Sequence, residues 1–78
     1  MNNHTIERIW RQNGAKRNLR VRFQDWNQHI RYFVIIGETT DRRRLVGKLD
    51  SGEPISYPKK SRGWYVYYPS AEFDAHAV

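Results

Sequence analysis

The run Leu19-Arg20-Val21-Arg22-Phe23 alternates apolar and cationic residues without a break. A period of two is that of a strand with one buried and one wet face. Leu19, Val21 and Phe23 are expected to point inward, leaving Arg20 and Arg22 side by side outside. One strand cannot bury a face alone, so the rest of the chain is read for its partners.

His29 to Gly37 reads as a second strand, with Ile30, Tyr32, Val34 and Ile36 on one face and Phe33 and Ile35 on the other. Apolar residues on both faces mark a central strand, or one also covered from outside. Glu38 to Arg42 is a polar turn. Arg43 to Asp50 forms a third strand, Leu45 and Leu49 inward, with Gly47 marking a bulge or bend. Ser51-Gly52 is a tight-turn signal leading to a short strand at 53–57, which Pro54 confines to an edge. Pro58 to Gly63 is a basic loop, and Trp64 to Tyr68 is the last strand, stopped by Pro69.

Residues 5–13 support two readings. Ile6, Ile9, Trp10 and Asn13 have helical spacing, with Thr5 as a cap and Gly14 as a stop. Asn13-Gly14 is also a strong hairpin signal, joining a strand at 5–12 to the one at 19–23. The strand is favoured, because the 19–23 segment needs a partner and the connecting chain is short.

Five or six short strands with turn signals between them give a mainly β fold, a small curved sheet or an SH3-like or OB-like barrel. A single domain is expected over residues 1–69, with 70–78 a flexible tail. A chain of 78 residues buries only a modest share of its surface, so the three Trp, five Tyr and three Phe are needed for the core. The absence of cysteine removes disulfides and thiolate metal sites, and fits a cytoplasmic home. No apolar run suits a signal peptide or a bilayer span, so no membrane partner is expected.

Fourteen Lys and Arg against eight Asp and Glu give a net charge of +6, and this balance bears on partners rather than on fold. The basic residues fall into three groups: Lys16, Arg17, Arg20 and Arg22; Arg42, Arg43 and Arg44; and Lys59, Lys60 and Arg62. Arginine-rich groups suit bidentate contact with phosphate, so DNA or RNA is the expected partner. Tyr65 and Tyr67 are expected outward on the last strand, where exposed rings beside cations can stack on bases. The competing reading makes the cations solvated surface and packs both rings on cross-strand neighbours.

Two further classes are weighed. One is a protein-binding accessory or inhibitor module, of a phage or mobile-element kind, docking on an acidic partner surface or closing a homodimer through the second apolar face. The other is a small metal-independent ribonuclease using Arg62, Tyr65, Tyr67 and His29. Binding is preferred to catalysis. His4, His29 and His76 lie far apart, no metal-ligand spacing occurs, and no motif calls for a cofactor.

Overall fold

The computed structural model describes residues 4–66. In chain order these form α1 (Ile6–Gln12), β1 (Leu19–Gln24), β2 (Ile30–Glu38), β3 (Arg44–Leu49), β4 (Pro54–Pro58) and β5 (Trp64–Val66). The strands make one open antiparallel sheet in the order β4-β3-β2-β1-β5. The fold is mainly β, as the alternation implies. The proposed tail, the strand residues Tyr67 and Tyr68, and the end of the 1–69 domain lie outside the described residues.

Residues 6–12 are helical, which corrects the preference for a strand. Thr5 caps the helix by accepting from the Arg8 amide at 3.2 Å. Asn13-Gly14 ends the helix and does not turn a hairpin. The Gly14 amide donates to the Arg11 carbonyl at 3.0 Å and the Ala15 amide to the Trp10 carbonyl at 2.8 Å. These are the paired bonds of a Schellman cap, with Gly14 supplying the left-handed φ of 82°. β1 does not need the N-terminal segment, because it pairs with β2 on one side and β5 on the other.

The helix is positioned by the β4–β5 loop. The Ile6 amide donates to Ser61 and the Glu7 amide to Lys59, so two N-terminal donors are satisfied by that loop's carbonyls. Ile6, Ile9 and Trp10 then cover one sheet face, packing with Leu19, Val21, Phe33, Ile35, Leu45, Leu49 and Trp64. This is the core, and it uses the Phe33 and Ile35 face of β2.

The sheet curls around that core. Strands lie about 4.8 Å apart, so a flat sheet would hold β4 and β5 about 19 Å from each other. The Tyr57 and Trp64 ring centroids are nevertheless 4.8 Å apart, and those of Phe23 and Tyr57 are 6.2 Å apart. A register shift in β2 between Ile35 and Gly37 contributes to the bend. Gly47, opposite it, lets the chains approach: a Cβ there would lie 1.9 Å from the Val34 carbonyl oxygen.

The outer face of the sheet carries Arg20, Arg22, Tyr32, Val34, Lys48 and Tyr65, as the register requires. The expectation of a wet Arg20 is corrected here. Arg20 is 0% exposed, and the adjacent Val34 is also buried. Its guanidinium is therefore out of water, with its carbon 5.2 Å from the Tyr32 ring centroid. Arg22, two residues on, is exposed as expected. Among the described residues, no helix is long and apolar enough to cross a membrane.

Candidate nucleic-acid interface

The antiparallel order carries parts of all three basic groups to one end of the sheet. There the Asn18 amide donates to the Ile35 carbonyl, fixing the α1–β1 loop beside the end of β2. Thr39 and Arg44 close the β2–β3 turn, and the Lys59 amide donates to the Arg43 carbonyl, bringing in the end of β4. Lys16, Arg17, Arg42, Arg43 and Lys60 are all exposed at this end, and none forms an ion pair among the described residues.

The acids of this end are largely committed within the domain. Lys59 is buried and donates to Glu38, with Glu7 at 3.7 Å from its ammonium. The bond from Lys59 is the main reason the Glu38 carboxyl is held below its ordinary range, with smaller contributions from the charges of Lys59, Arg42 and Arg11. Asp41 accepts from the Thr39 hydroxyl at 2.6 Å and from the Arg43 amide at 3.0 Å, and these bonds lower its carboxyl too. Lys59 therefore joins helix, sheet and loop, and its ammonium is not presented to a ligand.

The remaining candidates are distributed elsewhere. Arg44 donates to the Ser56 hydroxyl at 2.9 Å and to the Ser56 carbonyl at 3.0 Å, cross-linking β3 and β4. Arg22 and Tyr65 are partners across β1 and β5, with the guanidinium carbon 5.5 Å from the ring centroid. One side of the Tyr65 ring is thus occupied by a cation of its own chain. Arg62 lies near the start of β5, which pairs at Phe23 and so belongs to the opposite end. Tyr67 is outside the described residues. His29, a candidate of the ribonuclease reading, is in the exposed β1–β2 turn, while Tyr65 is on the outer face of β5.

The opposite end is different in charge and in polarity. Asp25, Asp50 and Glu53 lie in its turns, and Arg31 donates to Asp50 at 3.0 Å, which raises the already high Arg31 pKa further. Phe23, Leu49 and Tyr57 line an open cleft of about 460 Å³ there, with Gln24, Asp25, Trp26 and Arg31 around it. Trp26 is 100% exposed. Its turn is nonetheless well braced, because the Asp25 carboxylate accepts from the Asn27 and His29 amides at 2.9 Å. Residues 25–28, between the first two strands, carry no apolar period that would mark Trp26 as a core residue. An isolated Trp between Asp and Asn, outside any apolar period, was the signal available.

Among the described residues, no group of three His, Asp or Glu side chains is arranged to hold a metal. No described protein family, curated protein or solved structure matches the chain.

Proposed function

We propose that this domain is a nucleic-acid-binding module that grips phosphates through its basic end and performs no catalysis. The observation that supports this reading is the convergence of Lys16, Arg17, Arg42, Arg43 and Lys60 from three separate chain segments onto one end. Cations without internal partners create a positive field at that end, and the polyanion best suited to it is a phosphate backbone. Arg22 and Lys48 extend positive charge onto the outer sheet face. The ligand is DNA or RNA, contacted through its backbone and not read by its base edges.

Titration against labelled duplex DNA, single-stranded DNA and RNA over a range of salt tests the proposal. Five phosphate contacts give a slope of log affinity on log salt of about −4.5 for a duplex and about −3.5 for a single strand. Charge reversal at Arg17 and Arg43 together should flatten the slope and weaken binding to every sequence alike. Absence of binding at low salt would refute the reading.

A second reading, docking of a protein segment with an apolar side chain, is favoured by one observation. Trp26 is fully exposed beside the cleft lined by Phe23, Leu49 and Tyr57. Tryptophan is one of the residue types enriched among interface anchors. This surface is at the end away from the basic loops, so the two readings can be separated by mutation.

A further inference from the structure

We infer that Arg42 makes the leading phosphate contact of the basic end, held in place by a turn that imposes a costly backbone conformation on it. This rests on the nucleic-acid reading and assigns a role within the same site.

Arg42 has φ of 63°, in the left-handed region. A residue with a Cβ enters that region at a cost that glycine avoids, and arginine has no short polar side chain to offset it, as asparagine does. The conformation is imposed from several directions. The Thr39 amide donates to the Arg44 carbonyl at 2.9 Å and the Arg42 amide to the Thr39 carbonyl at 2.8 Å. The Thr39 hydroxyl accepts from the Arg44 amide at 3.2 Å while donating to Asp41, which also takes the Arg43 amide. A four-residue tip with this many internal bonds has little freedom to relax. Ala15, Asn18 and Gln28 share the left-handed region, and Arg42 is the cation among these four described residues; strain that the surroundings over-determine clusters at functional sites.

The guanidinium is available for that task. Arg42 is exposed and makes no ion pair among the described residues. Glu38, the carboxylate that feels its charge, already accepts from Lys59. Asp41, next in sequence, is occupied by the turn itself. A rigid tip carrying an uncommitted guanidinium loses little freedom on binding, and its planar fork matches two oxygens of a phosphodiester.

The test compares Arg42→Gly, Arg42→Lys and Arg17→Glu with the parent chain, by thermal melting and by anisotropy titration of a short duplex and a single strand. Arg42→Gly should melt about 2–5 °C higher, because glycine relieves the left-handed residue. It should also bind about tenfold more weakly, with the salt slope shallower by about 1. Arg42→Lys should keep the slope but recover only part of the affinity, since the charge stays and the fork is lost. A lower melting point for Arg42→Gly would overturn the strain argument. Parent-like binding by Arg42→Gly, with binding lost in Arg17→Glu, would overturn the role of Arg42 and leave the basic end intact. A parent chain that binds neither ligand would overturn both.

Discussion

Lys59 donates to Glu38 from a position where its own ammonium is buried, and Glu7 of the helix stands 3.7 Å away on the same side. One cation thereby ties α1, the end of β2 and the β4–β5 loop together.

Replacing Lys59 with Met should destabilise the domain by about 1–3 kcal/mol. This is less than for a fully dry pair, because both carboxylates retain contact with water. Chemical denaturation measures the loss. Phosphate affinity of the folded fraction should be unchanged, which separates Lys59 from its exposed neighbour Lys60.

Gly47→Ala should cost about 3 kcal/mol or more, because the added carbon would meet the Val34 carbonyl oxygen at 1.9 Å and the Phe33 ring at 2.9 Å. The neighbour is backbone, so no rotamer change can absorb the clash. A melting curve close to the parent's would show that β2 and β3 can separate at the bulge.

Acid should loosen the basic end first. Glu38 and Asp41 both titrate below their ordinary range in the folded domain. Each therefore contributes stability that is complete above the unfolded value, near pH 4, and is lost as pH falls through the lower folded value. Hydrogen exchange at the Arg43 and Arg44 amides, followed from pH 6 to about pH 3 after correction for intrinsic rates, should show protection falling in that window. Glu38→Gln should remove part of this dependence.

Trp26→Ala should leave stability within about 0.5 kcal/mol of the parent, because a fully exposed side chain contributes no packing. A larger loss in thermal melting would mean that the indole is packed in solution. Affinity for nucleic acid should also be unchanged, since the basic loops are at the far end.

Thr5→Ala should cost about 1 kcal/mol by removing the hydroxyl that receives the Arg8 amide. Far-ultraviolet circular dichroism would report the loss through the seven-residue helix.

The strands were legible because period-two alternation survives in any context that buries one face. Leu19, Val21, Leu45 and Leu49 are all in the core as that rule requires. The edge position of β4 followed from Pro54, which has no amide hydrogen to give. Asn13-Gly14 is ambiguous in the sequence, because the same pair serves a hairpin and a helix C-cap. Only the bonds to Trp10 and Arg11 distinguish the two. Within the basic groups, residue type could not separate Lys59 from Lys60, or Arg20 from Arg22. One member of each pair is buried and the other exposed.

The chain by itself determined the strand segments, the positive charge and the apolar residues available for a core, all of which are local or additive properties. The tertiary structure decided which cations remain exposed and where they gather. That outcome depends on register and curvature, which bring Glu38 to Lys59, set Arg20 beside Tyr32, and collect the loops of Lys16, Arg42 and Lys60 at one end. Spacing along the chain carries no record of these distances, because they arise only when non-adjacent strands pair and the sheet bends.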